Sequence, residues 1–306
     1  MTNYTIIGDI HIAEKHFSEL TLIFEEIFNL SSSSQIIFLG DIFHKNKPTP
    51  NEVIFALKWF FKFKSKCKTI TVILGNHDLY GGIQTTKMLT YLGITIISNN
   101  TWKEYTPFGC LTCGHYFVKE SMDNYNDTQK SIKEYAKSDY TFLGHQHRFQ
   151  QLDVNAYHLG SVRYIGFGEY DKFLIPKKIA HIDNKGNLKF IDLKKPYPLV
   201  QFNSVDELLT HYKQTNNLIT DKIRIVYDTF NAYKNDINKL NNLPYIFTED
   251  IKLKLDFKNQ HIIKHFNTNI HSNQLSTNEI FKKWIETISD KDVKSILEQE
   301  WKISCN

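Results

Sequence analysis

Five times in its first half the chain runs through a short apolar, β-branched stretch and stops at a cluster of polar, ionisable residues. Tyr4-Thr5-Ile6-Ile7 leads to Gly8-Asp9-Ile10-His11, and Gln35-Ile36-Ile37-Phe38-Leu39 leads to Gly40-Asp41-Ile42-Phe43-His44. Ile70-Thr71-Val72-Ile73-Leu74 leads to Gly75-Asn76-His77-Asp78. Phe108 to Cys113 leads to Gly114-His115, and Tyr140-Thr141-Phe142-Leu143 leads to Gly144-His145-Gln146-His147. Apolar runs of this length read as buried strands. Helical periodicity lies between them, from about Phe17 to Leu30, Asn51 to Lys64, Thr85 to Tyr91 and Asp127 to Lys137. Alternating strands and helices imply a largely parallel sheet with helices on its faces. Ligands of such sheets bind beyond the carboxyl ends of the strands, which is where the polar clusters stand. An amide, an imidazole and a carboxylate at the tip of a buried strand are costly unless something binds them.

After Gly160 the texture changes. Lys178 to Asp183 and Asn187 to Leu193 alternate around Asn184-Lys185-Gly186 and read as a β-hairpin. Lys194-Lys195-Pro196-Tyr197-Pro198 reads as a linker. Beyond it, a helix beginning near Ser204, strands over Lys222–Asp228 and Ile251–Phe257, and a helix near Ala232–Leu240 suggest a small α+β domain. Ser276-Thr277-Asn278-Glu279 fits a capping box ahead of Ile280, Trp284 and Ile288. A last helix carries Val293, Ile296, Leu297 and Trp301. The expected organisation is 1–197, 198–270 and a helical segment 271–306.

The donor chemistry of the clusters is specific. Asp9, His11, Asp41, Asn76, His115, His145 and His147 offer carboxylate, amide oxygen and imidazole without thiolate, a set that suits manganese, iron or zinc. They suffice for two ions, with Asp41 as the carboxylate able to serve both. In Asp9-x-His11 and His145-x-His147 an extended dipeptide would point both side chains the same way. The glycines let the backbone turn tightly at the strand ends. Two closely spaced ions polarise a phosphoryl oxygen and activate a water, so a phosphate ester is the expected substrate. His16, His158 and His181 compete with His115 as ligands, and His158 reads as structural.

Cys110 and Cys113 form a lone C-x-x-C without the second pair a zinc ribbon needs, and read as small strand residues. Lys62, Lys64, Lys66 and Lys68 end a helix, where solvated lysines that offset the dipole and a phosphate contact are both open readings. The net charge of +4 permits a nucleic-acid partner without demanding one. No apolar run reaches membrane length, and Met1 to Thr5 lack a signal-peptide pattern. The expectation is a soluble, cytoplasmic protein with no membrane contact.

The order of motifs resembles the calcineurin-like metallophosphoesterase superfamily over about residues 1–195. GDIFHK and GNHD depart from the GDxxDRG and GNHE of phosphoprotein phosphatases, and the tyrosine ligand of purple acid phosphatases is absent. GD-x-F-H, Gly160-Ser161-Val162-Arg163, Phe167-Gly168-Glu169 and Lys172 resemble instead the SbcD-type DNA repair nucleases, called meiotic recombination eleven in eukaryotes. The resemblance implies a four-layer α/β/β/α sandwich with a small capping domain and a C-terminal helical segment. It implies one metal at Asp9, His11, Asp41 and His147, and another at Asp41, Asn76, His115 and His145, with manganese the expected ion and Mg2+, Fe2+ or Zn2+ the alternatives. His77 would stabilise the transition state or protonate the leaving oxygen, and His44 would orient the phosphate. Asp78 would hold the tautomer of His77, and Arg163 would pair with Glu169. The resemblance further implies action on DNA ends, a homodimer formed through the first helices, and an SMC-like coiled-coil ATPase. That partner would dock on Ile280, Trp284, Ile288, Ile296 and Trp301, the alternative being that these side chains pack on this chain's own core. The richness in Asn, Ile and Lys points to an AT-rich genome, as of a phage or virus, with a bacterial origin equally open. The alternatives are a small-molecule or nucleotide phosphoesterase on the same fold, and a non-catalytic scaffold.

Overall fold

The computed structural model describes residues 3–31, 35–79, 85–123, 129–135, 138–169, 175–215, 222–227, 232, 235–236, 238–239 and 252–255. The expected C-terminal helices, with the docking stripe, lie outside these residues, as does Lys172. All described residues fall in one compact unit formed by Met1–Tyr227 and Asn231–Leu255.

The chain opens with β1 (Tyr4–Ile7), α1 (Phe17–Leu30), β2 (Gln35–Phe38), α2 (Pro50–Lys66) and β3 (Thr69–Ile73). A single turn, α3 (Asn76–Leu79), and a 3-10 helix (Thr85–Leu92) precede β4 (Thr95–Ile97). Then come β5 (Thr101–Thr106), β6 (Gly109–His115), β7 (Tyr140–Gly144), β8 (Gln150–Asp153) and β9 (Ala156–His158). The hairpin β10 (Lys178–Ile182) and β11 (Leu188–Asp192) follows, then β12 (Leu199–Phe202), α4 (Val205–Thr215), β13 (Lys222–Tyr227) and β14 (Lys252–Leu255). Where a helix was expected over Asp127–Lys137, the described residues hold only a 3-10 turn, Ile132–Tyr135.

Two sheets stack face to face. One has the order β11-β10-β1-β2-β3-β4, with β1 to β4 parallel and the hairpin antiparallel at one edge. The other has the order β5-β6-β7-β9-β8, with β6, β7 and β9 parallel and an antiparallel strand at each edge. The period-2 alternation explains the stacking. Ile7, Ile36, Phe38, Ile70 and Val72 face α1 and α2. Tyr4, Ile6, Ile37, Leu39 and Ile73 face Leu111, Cys113 and Phe142 of the second sheet.

Against the first sheet, Leu20, Ile23, Phe24 and Ile27 of α1 and Ala56, Phe60 and Phe63 of α2 form the helical side of the core. Phe24 sits among the rings of Phe55, Trp59 and Phe63. Thr49 starts α2 with a full capping box to Glu52, worth about 1 kcal/mol. The lysines at its end are structural: Lys66 Nζ donates to the Phe28 and Asn29 carbonyls at the end of α1, and Lys64 Nζ to those of Lys68 and Gly93. Cys67, Cys110 and Cys113 are free thiols in buried positions.

The last sheet, β12-β13-β14, is entirely parallel, with α4 in the crossover from β12 to β13. It is tied to the first helix by Lys222, whose Nζ donates to Glu19 at 2.9 Å and to the Tyr164 carbonyl at 2.6 Å. No helix among the described residues is long and apolar enough to cross a membrane.

Candidate metal centre

The polar clusters meet at the carboxyl ends of parallel strands β1, β2, β3, β6 and β7. The loops after β1 and β2 are fastened to each other: His11 N–H donates to the Asp41 carbonyl at 2.9 Å, Ile12 N–H to Ile42 at 2.8 Å, and His44 N–H to Ile12 at 2.9 Å. This brings Asp9 and His11 beside Asp41 and His44. Asp41 Oδ1 then accepts from His77 N–H at 2.9 Å, which fixes the turn after β3 against the turn after β2. Asp9 accepts from His145 N–H at 3.0 Å, joining the second sheet to the first.

The expected extended dipeptides are not what forms. His11 (φ 53), Asp41 (φ 46) and His145 (φ 78) all adopt the left-handed region. For residues carrying a Cβ this costs about 1–3 kcal/mol each and persists where the surroundings over-determine it, commonly at functional sites. Two glycines are required by close approach. A Cβ on Gly75 would lie 2.1 Å from Asp41 Oδ1, and one on Gly144 would lie 2.5 Å from Asp9 Oδ1.

Three sets of side chains each bring their ligand atoms within 4.8 Å of one another: Asp9, His11 and His147; His11, Asp41 and His77; and Asp41, His115 and His145. Asp41 Oδ2 lies 3.6 Å from His11 Nε2 and its Oδ1 lies 3.5 Å from His115 Nε2, so one carboxylate faces both outer sets. Asn76 joins the third set, its Oδ1 3.1 Å from His115 Nε2. All seven residues expected as ligands are therefore gathered in one place, with His77 and His44 beside them; the His77 and His11 ring centroids are 5.1 Å apart, and those of His44 and His11 5.5 Å.

Hydrogen bonds fix several tautomers. His115 Nδ1–H donates to the Leu39 carbonyl at 2.8 Å, which turns Nε2 into the cluster. There it faces Asn76 Oδ1 at 3.1 Å and His145 Nδ1 at 3.2 Å. With Nδ1 committed, three acceptors converge unless a proton or a cation sits among them. This donor set fits a divalent ion. His77 Nδ1–H donates to the His44 carbonyl at 2.6 Å. Asp78, expected to perform that task, does not reach the His77 ring. Its carboxylate accepts from Ile42 N–H at 3.1 Å and Gly75 N–H at 3.0 Å, and so braces the backbone on either side of Asp41 and Asn76.

Burial governs the titration. It pushes Asp9 up to about 8 and Asp78 up to about 6, each reinforced by the Asp41 charge. Burial works in the same sense on Asp41, but the hydrogen bond and charge of His115, with His11, hold that carboxyl below the ordinary range. Burial also opposes charge on His115, yet Asp9 and Asp41 overcome it and push the imidazole up to about 9. His145 and His147 are held down to about 4 by burial, with the His115 charge adding to it at His145. Burial likewise lowers His11 and His44.

His158 is structural, as expected: it is fully buried, with Nε2 2.6 Å from Ser121 Oγ and Nδ1 donating to the Gly144 carbonyl at 3.1 Å. The expected pairing of Arg163 with Glu169 does not occur. Arg163 pairs with Glu19, and Glu169 with Lys177. Sequence reasoning missed Lys177 and Glu19. A charged residue on the apolar stripe Glu19-Ile23-Ile27 was the one available signal. It also missed Lys45 and Lys47, which with His44, Asn46, Asn76 and His77 line a cleft of about 330 Å³ at the site.

A model of the calcineurin-like phosphoesterase family matches residues 2–297. The chain belongs to the calcineurin-like phosphoesterase family. Its members are metal-dependent hydrolases, and this chain brings together three clusters of side chains that could hold a metal ion. No curated protein matches the chain. Among solved structures it is similar to a single mutant of Vps29 from Entamoeba histolytica, at 12% identity over 63% of this chain and 99% of that one, TM-score 0.36. It is also similar to the nuclease MPE of Pseudomonas putida, at 19% identity over 58% of this chain and 83% of that one, TM-score 0.37. At these values neither protein's activity extends to this phosphoesterase.

Proposed function

We propose that this phosphoesterase is a two-metal, manganese-dependent nuclease that hydrolyses phosphodiester bonds at DNA ends in recombination or double-strand-break repair. The observation that carries the reading is the pair of donor sets on either side of Asp41, opening beside a cleft rimmed by Lys45 and Lys47. Both lysines are exposed, and among the described residues no carboxylate pairs with them. An open basic rim suits a chain of phosphates better than a single small ester. The motif resemblance to SbcD-type nucleases points the same way.

Asp9, His11, Asp41 and His147 would hold one ion, and Asp41, Asn76, His115 and His145 the other. Bound there, two divalent ions would polarise a phosphoryl oxygen, activate a water and stabilise charge in an in-line displacement. His77, its Nδ1–H bonded to the His44 carbonyl, turns Nε2 to the site, where the imidazolium form would pass its Nε2 proton to the departing oxygen and be left neutral. His44, a neutral imidazole at pH 7 under burial, orients the phosphate. Lys45 and Lys47 take neighbouring phosphates, which gives grip on the strand without base selectivity.

From the resemblance we further infer a homodimer and an SMC-like coiled-coil ATPase partner docking on 271–306. Ile54 and Phe61, exposed on α2, supply apolar surface for self-association. The test uses end-labelled duplex and single-stranded DNA with manganese or magnesium alone, beside a small chromogenic phosphodiester and a His77→Ala variant. Manganese-dependent DNA cleavage that the variant loses is expected. Hydrolysis of the small ester without DNA cleavage would move the substrate to the small-molecule class.

A further inference from the structure

Two buried cations outside the ligand set grip the main chain of two of its histidines. Arg163 Nη2 donates to the His11 carbonyl at 3.1 Å, and Lys177 Nζ donates to the His147 carbonyl at 2.8 Å. Arg163 is 1% exposed and Lys177 5%. Each cation is balanced by a buried carboxylate. Arg163 Nη1 lies 3.9 Å from Glu19 Oε2, and Lys177 Nζ is in direct contact with Glu169. Lys177 also donates to Ser161 Oγ at 3.0 Å, and Glu169 Oε1 accepts from Ile165 N–H at 2.6 Å.

Both histidines so held belong to one ligand cluster. His11 and His147 face each other through Nε2 atoms 3.0 Å apart and share Asp9. Among the described residues, no lysine or arginine donates to His115 or His145. His115 is fixed by the Leu39 carbonyl and faces the Asp41 carboxylate, while His145 is fixed by its N–H on Asp9 at 3.0 Å and by the Phe117 ring, whose centroid is 4.1 Å from its own. The two halves of the centre are therefore built differently. Burying a cation is expensive, so two cations aimed at two carbonyls of one cluster ask for a reason beyond packing.

We propose that Arg163 and Lys177 are positioning residues for the Asp9–His11–His147 metal position and not for the Asp41–His115–His145 position. This rests on the two-metal reading above. Losing either grip loosens the loop that presents one histidine, and ligand geometry tolerates displacements of only about 0.5 Å. The opposite cluster keeps its own supports.

The test is Mn2+ titration of the full chain by calorimetry, with retained metal counted after desalting. Lys177→Met is combined with Glu169→Leu, so that no buried charge is left without its partner. Wild type should bind two ions. The double variant should keep one ion and bind the other about 10- to 100-fold more weakly, the range typical for residues that orient ligands. Lys177→Arg should recover most of the loss, which a purely packing role would not give. A folded double variant that binds both ions as wild type does, or weakens both equally, would overturn the proposal. A wild type that binds no ion would overturn the metal reading itself and this proposal with it. Should the double variant not fold, Ser161→Ala removes one acceptor of Lys177 and leaves the charge pair intact. A loss confined to one ion supports the proposal, and no loss, or equal loss at both, overturns it.

Discussion

Asp41 Oδ1 stands 3.5 Å from His115 Nε2, a carboxylate held below the ordinary range beside an imidazole pushed up to about 9. The metal-free protein thus keeps a proton where the second donor set would keep a cation. Asp9, pushed up by burial to about 8, competes with His115 for that proton, since only a charged Asp9 raises the imidazole. At pH 7 this buried group therefore holds a proton that a cation must displace. Metal affinity should therefore rise as pH rises from 6 to 8, by up to about tenfold per pH unit for each proton released. His145 and His147, held down to about 4, are already neutral throughout this window and add no slope. Calorimetry in buffers of different ionisation enthalpy measures the proton count. Affinity that does not change between pH 6 and 8 would contradict this.

His77 offers its ring to the site while its Nδ1–H is spent on the His44 carbonyl. His77→Ala should lower kcat by about 10²- to 10⁴-fold, the usual weight of a proton-transfer group. Metal stoichiometry should not change, since the outer donor sets do not include it. Metal counting beside single-turnover kinetics separates the two effects, and loss of an ion in the variant would make His77 a ligand instead.

Asp78 acts on the backbone. Its carboxylate joins Ile42 N–H to Gly75 N–H, one residue beyond Asp41 and one before Asn76. Asp78→Asn should weaken metal binding by about 10- to 100-fold without removing a ligand. Gly75→Ala should be more severe, because its Cβ would meet Asp41 Oδ1 at 2.1 Å. Equal metal affinity in Gly75→Ala and wild type, read by titration, would rule out this packing account.

Lys45 and Lys47 rim the cleft beside His44, Asn76 and His77. Replacing both by Gln should weaken DNA binding and lower the slope of log K against log salt by roughly 2 for a duplex. Hydrolysis of a small chromogenic diester should hardly change. Filter binding across a salt series checks the slope, and an unaltered slope would place the DNA path elsewhere.

Much of this was legible in the sequence because the informative residues are contiguous. The apolar periodicity of Phe17–Leu30 matches α1 to the residue, and each ligand motif follows directly on its strand. The hidden parts depend on partners far away along the chain. Lys177 carries no local signal, and its role comes only from His147 and Glu169 closing around it. Arg163 finds Glu19 and the His11 carbonyl across more than half the domain instead of its near neighbour Glu169. The left-handed backbones of His11, Asp41 and His145 leave no periodic trace, since they are imposed by the bonds between strand-end loops. β5 and β8 went unread because an exposed sheet edge keeps polar residues such as Lys103, Glu104 and Gln151 along the strand.

The most direct test of the central claim is anomalous diffraction from crystals of the full chain soaked with Mn2+. Two peaks are expected, one between Asp41 and the Asp9–His11–His147 set and one between Asp41 and the Asn76–His115–His145 set. A single peak, or manganese bound away from Asp41, would contradict a two-metal centre shared by that carboxylate.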